Sequence, residues 1–302
     1  MFAKRLITVV DERTQRAKIV EECCAQGPVE WDAVNRLRSG GVIEHVEVQG
    51  TTLVMDARLG EGDVRFGPAS KDTGGQALKS IEVKNGKVET TWLGLAGASV
   101  GVGACLPQAE GVEKVEFLSD EEVGGSKAIE LRLTTPLCHR LVLGIDDTDT
   151  KEEGATWVLG LRLAREMPEG MFLSHKIVQL NPHAPQKTTN CSSTAVSFAV
   201  TPEKKDSLIA WARDFVSANT YSKETVLAVF EGLAIPPGLA RFGAEAKETI
   251  LSIHDAEHAA KQHGVTLIDI TGSRGAIGAV AGIACVDLGL YSAGLPEDFR
   301  HA

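Results

Sequence analysis

The six cysteines of this sequence show no C-x-x-C spacing, so the usual pattern of a zinc or dithiol redox site is missing. The start, MFAKRLITVVDE, has no secretory hydrophobic segment, and the most apolar stretch, residues 276–286, is too short to span a bilayer. We therefore expect reduced thiols in a cytoplasmic protein that has no membrane partner.

Basic residues are also scarce, since 31 Lys and Arg stand against 41 Asp and Glu and give a net charge of −10. A nucleic-acid-binding protein normally carries a basic domain or stripe, and neither half of this chain has one. No Walker loop G-x-x-x-x-G-K-[ST] and no recognisable Ser-His-Asp arrangement occurs either. At 302 residues, the chain is long enough for two domains with a core each.

The first 139 residues are predicted to form an antiparallel α+β domain. Apolar runs flank Asn85-Gly86, the strongest hairpin signal in the sequence, and two further hairpins and a helix at 28–37 precede it. The glycine-rich run GLAGASVGVG at 94–103 is similar to a dinucleotide-binding loop, but Leu106 stands where the final glycine belongs. We interpret this run as a tightly packed turn.

From Arg140 onward, longer helical patterns alternate with strands, which is typical of a sheet covered by helices. We predict an α/β domain over residues 140–302, with helices packed on a mixed sheet. Within it, the pattern predicts helices inside 202–218 and 222–230, a mobile connection at 232–243 and one helix at 244–263.

A cluster of aspartates follows a predicted strand in LVLGIDDTDTKEEGATW, which begins at Leu141. Asp146, Asp147 and Asp149 would stand at the carboxyl end of that strand, where open sheets usually bind ligands. Mg²⁺ would relieve the repulsion among the three carboxylates, since it takes one or two of them together with phosphate oxygens. The alternative is a polar turn whose aspartates cap the next helix.

Two later turns could supply positive charge. The proline-flanked loop NPHAPQKTTN presents Lys187 as the leading phosphate contact, with Thr188 and Asn190 as donors. The turn GSRGAIGA at 272–279 opens an apolar helix, whose N-terminus favours phosphate, and Arg274 adds a charge. The alternatives are an exposed loop and glycines that serve tight helix packing. His254 and His258 fit the zinc-peptidase pattern H-x-x-E-H, but no third ligand follows, so we expect an exposed helix face.

Taken together, residues 141–285 resemble the kinase-like ATP-binding domain of archaeal isoleucine-tRNA agmatinylcytidine synthetase. The resemblance rests on GIDDTDT at 144–150, LNPHAPQKTTN at 180–190 and SRGAIGA at 273–279, in that family's order. The longer wording GIDDTDTKEEGATW, behind an unrelated N-terminal domain, is similar to the family called methanogenesis marker protein 11.

The resemblance implies that ATP and Mg²⁺ are bound. Asp146, Asp147 and Asp149 match the family's metal and catalytic aspartates, and Lys187 matches its motif lysine. Thr156 matches a threonine that becomes phosphorylated in the synthetase. The remaining residues that we assign to ATP binding are Thr148, Thr188, Asn190, Gly272, Ser273, Arg274, Gly275 and Gly278.

In the synthetase, ATP activates a carbonyl oxygen of a tRNA cytidine and agmatine then displaces the phosphate. That family carries tRNA on an OB-fold and a zinc ribbon after its kinase-like domain, whereas this sequence ends soon after the third motif and has no C-x-x-C pair. The acidic balance also argues against tRNA as a partner. We therefore expect an ATP- and Mg²⁺-dependent phosphoryl-transfer or phosphate-activation enzyme of a methanogenic archaeon, acting on an unknown small molecule or protein. The alternatives are a non-catalytic nucleotide-binding regulatory or assembly protein and an RNA-modifying enzyme, and a homodimer is left open.

Overall fold

The computed structural model describes residues 2–299, and the chain divides into two compact units, Met1–His139 and Arg140–Ala302. The first unit holds two antiparallel sheets with the strand orders β1-β2-β4-β3 and β5-β6-β7-β9-β8. Its elements are β1 (Ala3–Asp11), β2 (Arg16–Cys23), α1 (Gln26–Ser39), β3 (Ile43–Gln49), β4 (Thr52–Arg58), β5 (Gly60–Glu61), β6 (Gln76–Lys84), β7 (Lys87–Leu95), α2 (Gly97–Val100), β8 (Lys114–Phe117) and β9 (Ala128–Pro136).

The hairpin between β6 and β7 turns at Asn85 and Gly86, both of which have positive φ, at 51° and 73°. Two consecutive positive φ values are what a two-residue hairpin turn of matching twist requires, and Asn-Gly adopts them at low cost. The predicted hairpin is confirmed. The glycine-rich run beyond β7 forms α2 and a single π turn at Gly101–Cys105.

The second unit is built on one five-stranded sheet with the strand order β11-β12-β10-β13-β14. The pairs β11–β12, β10–β13 and β13–β14 are antiparallel. Its elements are β10 (His139–Asp146), α3 (Thr156–Glu166), β11 (Met171–Gln179), β12 (Ser192–Val200), α4 (Lys205–Asn219), β13 (Val226–Glu231), α5 (Pro237–Glu248), α6 (Ile253–His263), β14 (Val265–Asp269) and α7 (Ala276–Ala284). The succession β10-α3-β11-β12-α4-β13 has the order of a split β-α-β arrangement, and the α+β class is confirmed.

Three of the predictions for this unit are wrong. Residues 222–230 do not form a helix, because Val226–Glu231 is the strand β13, which pairs with β10 and β14. The predicted mobile connection at 232–243 contains the first half of α5, and the predicted single helix at 244–263 is two helices. Ser252 begins α6 with a capping box in which its hydroxyl and the Asp255 carboxylate satisfy each other's backbone N–H groups.

Alternation along β10 divides the core of this unit between the two faces of the sheet. Leu141, Leu143 and Ile145 belong to the cluster under α3 and α4, whereas Val142 belongs to the cluster under α5, α6 and α7. Gly144 lies on the same face as Val142, and a Cβ there would stand 2.0 Å from the carbonyl oxygen of Ala279. The missing side chain lets α7 lie directly on β10, and the next residue on that face is Asp146.

Candidate functional site

Asp146, the last residue of β10, lies against the first turn of α7. A Cβ at Gly278 would stand only 1.7 Å from Asp146 Oδ2, so glycine is required there for the carboxylate to occupy its place. Burial, and next the charge of Asp147, raise the pKa of Asp146 well above its ordinary value. This is the carboxylate whose charge a bound cation would compensate.

Asp147 continues the chain in a left-handed conformation, with φ of 60°, which is uncommon for a residue other than glycine. The Thr225 hydroxyl donates to its carbonyl oxygen at 2.7 Å and thereby holds this turn. Its carboxylate accepts two hydrogen bonds from Arg274, from Nε at 2.7 Å and from Nη2 at 2.9 Å. That bidentate hydrogen bonding raises the pKa of Arg274. The predicted metal ligand and the predicted phosphate contact are thus paired with each other.

Asp149 lies in a network of threonine hydroxyls. Thr156, the first residue of α3, donates to Asp149 Oδ1 at 3.2 Å, and Thr188 donates to Asp149 Oδ2 at 3.3 Å. The buried Thr148 in turn donates through its hydroxyl to Thr156 Oγ1 at 3.1 Å. The network joins the loop that follows β10 to the loop that precedes β12, as the predicted site requires.

Lys187 is exposed at the rim of the same region, and its ammonium donates to the carbonyl oxygen of Pro182 at 2.6 Å. The loop that carries it is anchored at Asn181, whose side chain donates to the carbonyl oxygen of Glu248 at 3.0 Å. Asn181 also accepts the backbone N–H of His183 at 3.0 Å. The anchoring fixes the base of the loop, while the lysine at its tip stays accessible.

These side chains open onto one pocket with a cavity volume of about 110 Å³. The predicted residues that line it are Asp146, Asp147, Asp149, Lys187, Thr188, Asn190, Arg274 and Gly278. Three loops far apart in sequence therefore meet at a pocket with carboxylates and cationic groups in its wall.

Other predicted residues lie behind the pocket wall. Thr148 and Thr156 act through Asp149, as described above. Gly272 and Gly275 pack against the chain at 223–226, since a Cβ on Gly272 would lie 2.4 Å from the carbonyl oxygen of Lys223 and one on Gly275 would lie 2.9 Å from that of Glu224. Among the residues that the structure describes, these two glycines and Ser273 do not line the pocket. The alternative interpretation, glycines for tight packing, describes Gly272 and Gly275 better than phosphate binding does.

The sequence did not indicate the apolar wall of the pocket. Ala246, Thr249, Ile250 and Leu251 reach it from the end of α5 and the connection to α6, and Ile277 and Cys191 complete it. Burial raises the pKa of Cys191 to about 11, so its thiol is neutral in ordinary buffers. The signal for it was the apolar pair Ile250-Leu251, which was hidden because one helix was predicted there.

A magnesium ion fits this donor set through Asp146. Within residues 2–299, no three His, Cys, Asp or Glu side chains are grouped closely enough to hold a metal ion. Asp147 is paired with Arg274 and Asp149 is hydrogen-bonded by two hydroxyls, which leaves Asp146 as the carboxylate with the strongest need of a cation. Mg²⁺ commonly uses one or two carboxylates together with phosphate oxygens and water. The chemistry of Asp146 is compatible with such a site.

The zinc-peptidase pattern at 254–258 forms no metal site in the part of the chain described here. Its Asp255 serves the capping box of α6. In the same described residues, no helix is long and apolar enough to cross a membrane.

Comparison with known proteins found a family description that matches part of the second unit and a relative that matches the whole chain. The TiaS TCKD domain description matches residues 142–210. "Uncharacterized protein MJ0921" of Methanocaldococcus jannaschii is 34% identical over 98% of both chains. The chain belongs to the MJ0921 family.

The second unit of this MJ0921-family protein is also similar to part of a longer enzyme. The tRNA 2-agmatinylcytidine synthetase TiaS of Pyrococcus horikoshii is 30% identical over 47% of this chain and 35% of that enzyme. The chain therefore spans about a third of the length of this relative. The solved complex of TiaS with tRNA and ATP is 24% identical over 48% of this chain and 36% of that one, with a TM-score of 0.43.

The matches support the resemblance to the agmatinylcytidine synthetase, but they correct one expectation. We argued from the acidic balance against tRNA as a partner, and that prediction is wrong, because the curated relatives of this unit are tRNA 2-agmatinylcytidine synthetases. The physical reason is that net charge averages over the whole chain. It does not describe the one surface that an RNA contacts.

Proposed function

We propose that the MJ0921-family chain is an ATP-dependent enzyme that modifies a nucleotide of an RNA, with tRNA as the first substrate class to test. The Arg140–Ala302 unit would bind ATP in the pocket formed by the aspartate loop, the Lys187 loop and the start of α7. One observation carries the proposal: Asp146, Asp147, Asp149, Lys187 and Arg274 all line that single pocket. The TiaS relatives supply the RNA part of the proposal.

Positive groups of the pocket would hold the phosphates. Lys187 is exposed at the rim and is hydrogen-bonded only to the carbonyl oxygen of Pro182 in the described contacts, so its ammonium can turn toward a phosphate. The planar guanidinium of Arg274 donates two hydrogen bonds to Asp147, and the same two donors match the geometry of a phosphate. Catalysis of phosphoryl transfer depends mainly on such positioning and charge neutralisation.

The aspartates would hold the divalent cation, with Asp146 as the principal ligand and Asp147 or Asp149 as the second. Mg²⁺, when bound, would neutralise charge on the phosphate oxygens of ATP. Asp149 accepts a hydrogen bond from the Thr156 hydroxyl. This geometry supports a role for Asp149 in orienting Thr156, the residue that matches the phosphorylated threonine of the synthetase.

The resemblance further suggests the kind of chemistry. A carbonyl oxygen of an RNA base would be activated by phosphate, and an amine would then displace that phosphate. The sequence motif GIDDTDTKEEGATW supports membership in the methanogenesis marker protein 11 family. Membership in that family would in turn imply a role in a methanogenic archaeon. Action on a small molecule or a protein is the outcome to expect if RNA has no effect.

ATP binding is tested first, by calorimetry with the full chain in the presence and absence of Mg²⁺. Asp146→Asn is compared with Glu152→Gln, which neutralises an exposed carboxylate on the same loop. We expect Mg²⁺-dependent ATP binding that Asp146→Asn weakens and Glu152→Gln leaves unchanged. No binding of ATP in either condition would remove the proposal.

The RNA part is tested by ATP turnover with and without a mixture of archaeal tRNA transcripts. We expect tRNA to stimulate turnover in the wild type and in Glu152→Gln, with no stimulation in Asp146→Asn. Chromatography of the nucleotide products then identifies which bond of ATP is cleaved. Turnover that is the same with and without tRNA directs the search to small-molecule and protein acceptors.

A non-catalytic nucleotide sensor is the second candidate, and the pairing of Asp147 with Arg274 favours it. In this pairing, Arg274, which phosphoryl transfer would need as a phosphate contact, is bound to Asp147, which it would need as a metal ligand. A sensor would bind ATP with the same Mg²⁺ dependence and show no turnover with any acceptor. The two candidates therefore differ in turnover and not in binding.

A further inference from the structure

The Met1–His139 unit contains a second pocket, which the proposed function does not use. It has a cavity volume of about 750 Å³ and lies between α1 and the glycine-rich segment that follows β7. Trp31 and Asp32 of α1 form one side, and Leu95 to Gly101 form the other. Asp32 is the one acidic residue among the described residues that line the pocket, and none of them is Lys, Arg or His.

Asp32 is the acidic group of this wall, and its side chain is more than nine-tenths buried. Oδ1 accepts a hydrogen bond from Gln76. Oδ2 stands 3.6 Å from Arg36 Nη2, which is an ion pair but longer than a hydrogen bond. Oδ2 therefore retains capacity to accept a donor that enters from the pocket.

The buried charges behind Asp32 do not balance. Arg36 has Nη1 at 2.6 Å from Glu21 Oε2, and its guanidinium lies 4.9 Å from the ring centre of Trp92. One guanidinium thus faces two carboxylates, Glu21 and Asp32. Burial, and next the coupling to Glu21, raise the pKa of the adjacent Cys23 thiol, which stays neutral. With both acids ionised, the group carries one uncompensated negative charge.

Asp32 is the member of the group that titrates near neutrality. Burial is the largest cause, the charge of Glu21 adds to it, and together they raise its pKa to about 6 despite the opposing effect of Arg36. Above that pH the excess negative charge is present, and of these groups only Asp32 lines the pocket. An uncompensated buried charge is costly unless a partner arrives.

The opposite wall is rigid. Backbone hydrogen bonds fix its start, from Leu95 N to the carbonyl oxygen of Gly75 at 2.8 Å and from Ala96 N to that of Lys127 at 2.7 Å. Ala96 has φ of 55° and ψ of −128°, a strained combination for any residue with a side chain. The packing maintains this strain, and strained residues of this kind cluster where ligands are held.

We propose that this pocket binds a small organic cation, an amine or an amidine on an apolar body, through Asp32. The positive group donates to Asp32 Oδ2 and balances the charge of the Glu21–Arg36–Asp32 group. The apolar body lies against Trp31 and the small residues of the glycine-rich segment, and the Trp31 ring adds cation–π attraction at the mouth. A charge-assisted hydrogen bond of this kind distinguishes an amine from a neutral alcohol of the same shape.

The test is an NMR titration of the full chain with three probes of one shape: benzylamine, benzyl alcohol and benzoate. We expect benzylamine to bind at least about tenfold more tightly than the alcohol, which corresponds to about 1.4 kcal/mol, and benzoate not to bind. The tryptophan indole signals report the site, because Trp31 lines the pocket and Trp92 lies beneath Arg36. Equal affinity for amine and alcohol, or preference for benzoate, overturns the proposal.

Two variants locate the binding. Asp32→Asn should abolish the preference for benzylamine, while Glu30→Gln, which removes an exposed carboxylate from the same helix, should keep it. Gly101→Leu leaves Asp32 intact and fills the pocket, since a Cβ there meets only Gln76 Nε2, at 3.7 Å. It should block benzylamine and benzyl alcohol even if Asp32→Asn does not fold. Benzylamine binding that survives Gly101→Leu contradicts the proposal.

Discussion

Arg274 and Asp147 are 127 positions apart, yet their side chains form a two-point hydrogen-bonded pair at 2.7 and 2.9 Å in the wall of the candidate ATP pocket. The pair joins the start of α7 to the end of β10. Within the pair, the charges of Arg274 and Asp147 neutralise each other. The proposed function, however, needs Arg274 to bind phosphate and Asp147 to bind the metal. ATP binding is therefore expected to require an exchange of partners at Arg274.

Arg274→Lys tests that exchange, because lysine keeps the positive charge and loses the planar fork. We expect ATP affinity to fall by about tenfold or more, as for the loss of a charge-assisted bidentate contact. The measurement is calorimetry with Mg²⁺ and ATP. Arg213→Lys, at an exposed position of α4, is the control and should bind ATP as the wild type does. If Arg274→Lys binds ATP as tightly as the wild type does, the Arg274 guanidinium does not contact phosphate.

Gly278→Ala is predicted to displace Asp146, since the new Cβ would stand 1.7 Å from Asp146 Oδ2. Overpacking at such a contact costs roughly 1–3 kcal/mol of unfolding free energy, and ATP binding should fall with it. Gly282→Ala is the matched control on the same helix, because its Cβ meets Thr194 O at 3.0 Å, away from the pocket. Urea unfolding should show some loss of stability for both variants. Only Gly278→Ala should lose ATP binding, and a loss in both would mean that helix packing alone is responsible.

The sequence predicted the elements that carry strong local signals. The hairpin at Asn85-Gly86 follows from positive φ at two adjacent residues, and β10 with its aspartates follows from an apolar run that ends in a polar loop. The strand β13 was missed because the short apolar run Val226 to Phe230 suits either a helix or a buried strand. Only its pairing with β10 and β14 decides, and pairing is not a local property.

The candidate site was predicted in part for the same reason. Local patterns identified the three loops, and these loops do meet at one pocket. They could not identify the pairing of Asp147 with Arg274, or the wall at Thr249 to Leu251, because both depend on how α5 and α7 pack on the sheet. The glycines at 272 and 275 have the composition of a phosphate loop and the surroundings of a packing contact. Composition alone does not separate the two.

Ala96→Gly is predicted to stabilise the protein. The backbone of Ala96 is in a region that glycine occupies freely, so the substitution removes strain of roughly 1–3 kcal/mol and costs less than about 1 kcal/mol in unfolded-state entropy. We expect a net gain of about 1 kcal/mol in the unfolding free energy from urea titration. Ala98→Gly, in the helical conformation of α2, is the control and should lose about that amount. A lower unfolding free energy for Ala96→Gly than for the wild type would show that the backbone of Ala96 is not strained.

Asp32 should make stability depend on pH in an unusual direction for an acid. Its pKa is about 6 in the folded chain against 3.8 for the ordinary group, so the folded state binds the proton more tightly. Protonation of Asp32 therefore stabilises the folded state by about 3 kcal/mol below about pH 4. This stabilisation is lost as the pH rises through about 6. Between about pH 4 and 7, the unfolding free energy of Asp32→Asn in urea should therefore rise by about 3 kcal/mol relative to that of the wild type. Glu30→Gln should show a constant difference, and a constant difference for Asp32→Asn would refute the burial of an ionised Asp32.

Lys247 is predicted to hold the segment after α7 against α5. Its ammonium is buried and donates to three carbonyl oxygens, those of Gln179 at 2.9 Å, Ser292 at 2.8 Å and Gly294 at 2.9 Å. Burial lowers the pKa of Lys247, but all three of its donors are satisfied. Lys247→Met keeps the length of the side chain and removes every donor.

The three carbonyl oxygens would then lack partners, at a cost of about 3 kcal/mol in total. We expect a lower unfolding free energy for Lys247→Met and faster limited proteolysis between 288 and 299, because Ser292 and Gly294 are no longer held. Lys261→Met, at an exposed position of α6, is the matched control and should change neither quantity. If Lys247→Met unfolds and is cleaved like the wild type, other contacts hold the segment and the three hydrogen bonds contribute little to its docking.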